Sequence, residues 1–285
     1  MILLKTVLYQ LAEQSPIQMM SYVVKTSNDK TIVIDGGNIE DGEYLFNFLK
    51  DHCSGKPIVD AWFFTHAHCD HINAFVDIMN RHAGELDVKA AYYNFPSEAA
   101  ISEYKPSEIT AFKSFNVVRN RDSSFFHLIN SGDEFTYDGV SFKVLQIWDK
   151  NETFNLLNNS SSILLMKVEN QKILFLGDAG VEAGNRLLNT YGPDNLKCDI
   201  VQMAHHGQAG VTKEVYKAIN PKVCLWATPL WLWENDAGEG FDTHCFLTVR
   251  VRKWMEELGV KHHFIAKDGT CGIEWPYKSC KEAII

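Results

Sequence analysis

The sequence predicts an α/β fold of four layers, in the order helix, sheet, sheet, helix, and three observations predict it. Apolar runs of strand length occur both early and late in the chain, each group is interleaved with helical patterns, and no Gly/Ser-rich or Pro-rich linker or internal repeat separates them. One domain over residues 1–285 is therefore expected; a doubly wound sheet is the competing arrangement for several of the same segments. With 285 residues, 46% of them hydrophobic, the chain can bury a substantial core.

Taken in order, residues 18–25 and 31–34 read as paired strands around a polar turn, and Asp35-Gly36-Gly37 ends the second. Tyr44, Leu45, Phe48 and Leu49 then present an apolar face at helical spacing. Residues 58–64, apolar except for Asp60, form a strand that ends at Thr65, and Ile72, Phe75, Val76 and Met79 mark an amphipathic helix just beyond. Residues 94–124 are polar and weakly patterned; Ile109, Phe112 and Phe115 anchor a short helix there, and the segment is a candidate lid. Strands resume at 140–147, 163–168 and 173–176, with an Asn/Ser-rich loop over 151–161. A strand at 200–203 leads to His205-His206-Gly207 and a helix that Pro221 stops. Residues 223–226 form a strand, Leu247, Val251, Trp254, Met255 and Leu258 mark a helix, and 262–266 with 271–275 look like a hairpin around Asp268 and Gly269.

Composition narrows the function. A net charge of -9, from 36 acidic against 27 basic side chains, disfavours a long polyanionic partner, so nucleic acid is a less favoured substrate than a small molecule. Seven scattered cysteines with no C-x-x-C pair argue against a disulfide framework and a thiolate zinc knuckle. The opening residues carry no signal-peptide pattern and no window approaches the roughly 20 apolar residues of a bilayer span. A cytoplasmic protein with no membrane association is expected. The oligomeric state cannot be read from the chain.

The chemistry concentrates in Thr65-His66-Ala67-His68-Cys69-Asp70-His71. His66 and His68 alternate across a short extended turn and can project to one side, and Asp70 and His71 follow as the chain enters its helix. Imidazole and carboxylate together suit zinc and related first-row divalent ions, whereas calcium and magnesium favour oxygen shells. Asp178, directly after a strand through Gly177, has the chemistry to bridge two ions, although a lone Asp at such a place is usually a cap. His205 is favoured as a ligand and His206 as a group behind it or against substrate, and the two are interchangeable on sequence grounds. Trp226, Trp231, Trp233 and Phe241 are more readily core or loop anchors than a stacking platform.

These residues resemble the metallo-β-lactamase superfamily. Its run of His, any residue, His, any residue, Asp, His is His66 to His71 here, and the Asp35-Gly36-Gly37 turn and Gly177-Asp178 pair stand in the expected order. Within that superfamily, Asn159-Ser160-Ser161-Ser162 before an apolar strand, His205-His206-Gly207, His244 and the Lys267-Asp268-Gly269-Thr270 turn are similar to the hydrolase domain associated with the bacterial competence protein ComEC. No middle histidine ligand is evident between His71 and Asp178. His82 and His127 read as structural, and Asn159 occupies the relevant neighbourhood, where it can orient water or substrate or simply cap the loop.

The resemblance implies the metallo-β-lactamase type of αββα sandwich and up to two divalent ions, zinc first, with manganese or another divalent ion also compatible. One ion would draw on His66 and His68, the other on Asp70, His71 and His205, with Asp178 between them. The implied activity is hydrolysis by metal-bound hydroxide, with Asp70 orienting the nucleophile as well as ligating. His244 is a candidate proton donor, against the plainer role of a structural histidine. A small soluble phosphodiester is the leading substrate class; a lactone, carboxylic ester or thioester is the alternative, and a noncatalytic metal-binding protein is the alternative of a different kind. Antibiotic hydrolysis is not assigned.

Overall fold

Strands covered on both faces carry near-continuous apolar runs, and the computed structural model, which describes residues 5–277, places such strands in two facing sheets. One sheet has the order Cys271–Glu274, Val7–Gln10, Ser21–Lys25, Thr31–Asp35, Ala61–Phe63, Ala91–Tyr93, Phe126–Leu128. The other runs His262–Ile265, Val223–Trp226, Ile200–Gln202, Gln171–Phe175, Ile163–Val168, Val140–Gln146, Glu134–Tyr137.

Alternation along each strand divides the side chains between three apolar clusters. Tyr22, Val24, Ile32, Ile34 and Phe63 of the first sheet meet Phe142, Leu164, Met166, Phe175 and Leu225 of the second between the sheets. The alternate residues Val23, Val33 and Trp62 face outward onto the helices Gly42–Asp51, Cys69–Arg81 and Ile109–Arg121 through Leu45, Phe75 and Phe115. On the other side Leu165, Leu174, Val201, Cys224 and Trp226 cover Leu187, Val215 and Met255 from Val181–Asn195, Lys213–Ile219 and Thr248–Glu257. The result is the four-layer αββα sandwich that the sequence predicts.

Two expectations are corrected. Residues 262–266 and 271–275 are not a hairpin: His262–Ile265 pairs in parallel with Val223–Trp226, whereas Cys271–Glu274 pairs antiparallel with Val7–Gln10 in the opposite sheet. A 3-10 turn at Ala266–Asp268 and Gly269 at φ 105 carry the chain from one sheet to the other. The candidate lid at 94–124 is a pair of helices, Glu98–Tyr104 and Ile109–Arg121, and the second packs on Cys69–Arg81 with Ala111, Phe112, Phe115 and Val118 buried. Its place is in an outer helical layer.

The site follows from the topology. Thr31–Asp35 runs parallel to Ala61–Phe63, and Gln171–Phe175 runs parallel to Ile200–Gln202. Asp35, the segment Thr65–Asp70, Asp178 and the His205-His206 pair therefore emerge at carboxyl ends of strands near the middle of the two sheets, where α/β proteins bind their ligands.

Candidate metal centre

His66, Asp70, His71, Asp178 and His206 are buried, and their donor atoms converge in two groups. His66, His71 and Asp178 form one; Asp70, His71 and His206 form the other, and within each group the candidate ligand atoms lie within 4.8 Å of one another. Three strand ends from two sheets thus meet at one point.

Hydrogen bonds from behind fix the rings. Asp35, wholly buried and held at φ 56, accepts from the Thr65 backbone N–H at 2.8 Å and the Thr65 hydroxyl at 2.7 Å, and its Oδ2 lies 2.8 Å from His71 Nδ1. A proton on His71 Nδ1 directed at that carboxylate leaves Nε2 facing the centre. His206 is set similarly, with Nδ1 2.9 Å from the Ala227 carbonyl oxygen. His66 Nε2 and His68 Nδ1 stand 2.8 Å apart at the other side.

The Asp178 turn is held as tightly. Gln202 Oε1 accepts from the backbone N–H of Leu176 and Gly177, and Ser161 Oγ accepts from the N–H of Asp178 at 3.0 Å. Gly177 sits at φ 55, where a Cβ would come within 2.9 Å of both Ser161 Oγ and Thr65 Cβ, so a side chain is excluded both by conformation and by space. Beyond the histidine pair, Gly207 at φ 82 packs so closely on Trp226 that a Cβ would overlap the indole.

The donor set fits a divalent cation, and the unsatisfied atoms show it. His71 Nε2 and Asp178 Oδ1 are 3.2 Å apart, and His206 Nε2 is 3.2 Å from Asp70 Oδ2, yet His71 Nε2, Asp178 Oδ1 and His206 Nε2 are all buried without a hydrogen bond. Buried polar atoms without partners are costly; imidazole nitrogens and carboxylate oxygens converging across a small gap are what a cation between them satisfies.

Electrostatics agree in direction. Burial opposes ionisation of Asp178 and Asp70, but His71, His206 and His66 hold Asp178 well below the usual carboxylate range, and contact with His206 together with the charge of His71 does the same for Asp70. Burial disfavours charge on His71 and His206 as well; Asp178 and Asp35 outweigh it at His71, and Asp178 and Asp70 at His206, raising both. Burial wins at His66, lowered well below its ordinary value, and at His68, pushed down to about 4. Cys69, in the middle of the motif, has its thiol pushed up to about 12 by burial and by Asp70, so it is no thiolate donor at neutral pH.

The expected site residues are placed as follows. His66, Asp70, His71 and Asp178 come together in the two donor groups, and His68 stands beside them, its Nδ1 2.8 Å from His66 Nε2, without belonging to either group. The order of His205 and His206 is reversed: His206 is the buried partner of Asp70, whereas the His205 side chain is 22% exposed and its Nε2 is 3.9 Å from Asp178 Oδ2. Asn159 caps rather than faces the centre. Its Oδ1 accepts from the N–H of Gly180 and Ala183, and its Nδ2 donates to the Phe154 carbonyl and Glu182, which consumes the amide. His244 stacks on Phe246 at 4.2 Å with Nδ1 accepting from the Cys245 N–H, and no contact joins it to the cluster, so a proton-donor role finds no geometric support. His82 stacks on Phe46, and Trp226 is buried in the outer core, both structural as expected. Sequence reasoning read Asp35 only as a turn residue and passed over Asn158, whose Nδ2 is 3.3 Å from His205 Nε2.

Comparison with known proteins accords with this geometry. The chain is similar to "ComE operon protein 3" of Bacillus subtilis, 23% identical over 173 residues, 60% of this chain but only 20% of that protein. Among solved structures it is similar to the metallo-beta-lactamase fold protein YhfI from Bacillus subtilis, with a TM-score of 0.53 at 11% identity over 93% of this chain and 98% of that one. It is also similar to CmlA, described as a diiron beta-hydroxylase from Streptomyces venezuelae, with a TM-score of 0.56 at 12% identity over 95% of this chain and 54% of that one. At such identities the structural likeness shows the fold alone. Residues 16–223 match the metallo-beta-lactamase superfamily itself, and with the αββα sandwich and the His/Asp centre at its strand ends, the chain belongs to that superfamily.

Proposed function

We propose that this protein is a metal-dependent hydrolase acting on a small soluble phosphodiester, with up to two zinc ions as its cofactor. The observation that carries the reading is the pair of converging donor sets that share His71, with buried donor atoms left without partners. Divalent ions held there supply Lewis acidity and lower the pKa of a coordinated water.

The chain's own residues do the rest. Asp35 and the Ala227 carbonyl hold the rings of His71 and His206 with Nε2 inward, so these donors are ordered before any substrate arrives. Asp178 stands between the two sets, with Oδ2 3.7 Å from both His66 Nε2 and His206 Nε2, and balances the charge of either ion. His205 is partly exposed beside this buried cluster, which supports a centre open to substrate rather than a closed structural one.

For the substrate, the sequence resemblance to the ComEC-associated hydrolase domain is the ground for a phosphodiester, and the net charge of -9 disfavours long nucleic acid. Among the described residues no helix is long and apolar enough to cross a membrane. Six cysteines among them are free, which supports a reducing, cytoplasmic setting.

The test is a metal-reconstituted panel of linear and cyclic phosphodiesters, short DNA and RNA, lactones, thioesters and a β-lactam, run beside Asp178→Asn. Phosphodiester turnover that needs both added metal and Asp178 is expected. Turnover confined to lactones or thioesters would replace the substrate class, and stoichiometric metal without turnover would replace the hydrolase with a noncatalytic metal protein.

A further inference from the structure

The orphaned atoms at this end of the molecule are not confined to the metal donors. Val7–Gln10 runs parallel to Thr31–Asp35, because each pairs antiparallel with Ser21–Lys25. The loop of residues 11–20 therefore leaves the first sheet after Gln10 and re-enters it at Ser21, opposite Asp35, at the end that carries the metal centre. It is tied down along its length. The Ala12 N–H donates to Thr270 Oγ1 at 3.0 Å, the Gln14 N–H to Asp41 Oδ1 at 2.9 Å and the Met20 N–H to the Asp70 carbonyl at 3.2 Å, while the Gln18 carbonyl accepts from Asn38 Nδ2 at 2.7 Å. Asp70 belongs to the second donor group, so the loop is anchored on the centre itself.

Glu13 stands between the first two of those anchors, half-buried, with Oε2 fully buried and without a hydrogen bond. The charges that act on its carboxyl are those of Asp41 and His206, and neither supplies a donor. Both oxygens of Asp41 already accept, from the Gln14 N–H and from the Asn38 N–H, each at 2.9 Å, and its charge repels that of Glu13. His206 has Nδ1 at the Ala227 carbonyl and Nε2 turned to Asp70 Oδ2 at 3.2 Å. Burial, with Asp41 behind it, accordingly raises the Glu13 carboxyl above its ordinary value, against its own backbone N–H and His206. A buried carboxylate oxygen without a donor is more costly than a neutral acceptor in the same place. A ligand that brings an O–H or N–H to it is favoured over one that does not.

We propose that Glu13 is a specificity-determining residue, whose Oε2 accepts a hydrogen bond from a hydroxyl or protonated amine on the alcohol part of the substrate while the phosphodiester group occupies the metal centre. The proposal rests on the hydrolase reading and narrows its substrate class to diesters of diols or amino alcohols. A diester of a plain alkanol leaves the carboxylate unpaired.

Calorimetric binding to the zinc-loaded protein tests it without reference to turnover. The probes are methyl phosphinates, diester mimics that water cannot cleave, whose second chain of two to five carbons ends in a hydroxyl, an amine or a methyl group. At the best chain length the hydroxyl or amine form should bind wild type about 10–100-fold more tightly than the methyl form, the ratio expected of a hydrogen bond to a charged group. Which of the two binds more tightly tells the diol from the amino alcohol. Glu13→Ala should reduce the ratio to less than about threefold, and Glu13→Gln, which keeps an acceptor but no charge, should lose more of a preference for amine than of one for hydroxyl. Circular dichroism and zinc content establish that the variants are intact, and Glu13→Gln carries the test if the alanine variant unfolds. Equal binding of all three ends by wild type, or a preference that survives in folded Glu13→Ala, overturns the assignment. A zinc-loaded wild type that binds none of the series overturns this proposal and the phosphodiester reading together; the expected preference without hydrolysis of the corresponding diesters overturns only the hydrolase.

Discussion

Replacing Asp35 with Asn leaves the volume nearly constant and removes no metal-facing donor atom, yet it should loosen the centre. The carboxylate holds three groups at 2.7–2.8 Å: the Thr65 N–H, the Thr65 hydroxyl and His71 Nδ1. An amide keeps one oxygen and turns an NH2 towards the remaining partners. If that NH2 faces His71, Nδ1 becomes the acceptor and the ring proton moves to Nε2, the atom shared by both donor groups. Loss of such a supporting carboxylate typically costs 10–100-fold in metal affinity, equivalent to about 1.4–2.8 kcal/mol. Because Asp35 is wholly buried, the metal-free chain should also lose stability, on the order of 1.5–3 kcal/mol for a charge-assisted hydrogen bond. Competition with a chelating dye gives the affinity, and urea unfolding of the metal-free protein gives the stability. Unchanged affinity in a folded Asp35→Asn protein would refute the argument that this carboxylate sets the His71 ring.

Three further outcomes follow from the same geometry. Gly177→Ala must place a methyl group 2.9 Å from Ser161 Oγ and Thr65 Cβ at φ 55, and should destabilise by about 2–4 kcal/mol; a shift in urea midpoint worth less than about 0.5 kcal/mol would show that the turn relaxes freely. In the metal-free chain, the His68 contribution is present above the unfolded value of about 6.5 and is lost as pH falls towards about 4, because burial holds the ring neutral. His71 and His206, raised by Asp178 and its neighbours against the effect of burial, contribute stability below about 6.5 that is lost as pH rises through their folded values. Their protons must leave when metal binds, so affinity should rise with pH and calorimetry in buffers of different ionisation enthalpy should record proton release; buffer-independent heats would contradict this.

The histidine run was legible because its donors are close in sequence and lie at a strand-to-helix junction, where side-chain direction follows from local geometry. Asp178 was legible from its place after an apolar strand. Choosing between His205 and His206 depends on two consecutive positive φ angles that no propensity favours, and the capping role of Asn159 depends on the helix at Val181–Asn195, whose start consumes its amide oxygen. Asp35 was hidden for a similar reason, since its three partners lie some 30 residues further on. The sheets themselves showed in the apolar runs. The crossover after Ile265 did not, because two short strands joined by a glycine turn look alike whether they pair together or separate, and the sequence carries no signal of which sheet receives the second.

The donors at this centre come from both halves of the sandwich: His66, Asp70 and His71 from the first sheet, Asp178 and His206 from the second. An ion bound there is a cross-brace between two slabs that meet mainly through apolar contact, with a few hydrogen bonds such as Ser162 N–H to the Thr65 carbonyl at 2.8 Å. Its binding free energy therefore also clamps the slabs together at their strand ends. Chelation releases a mechanical constraint as well as a reagent.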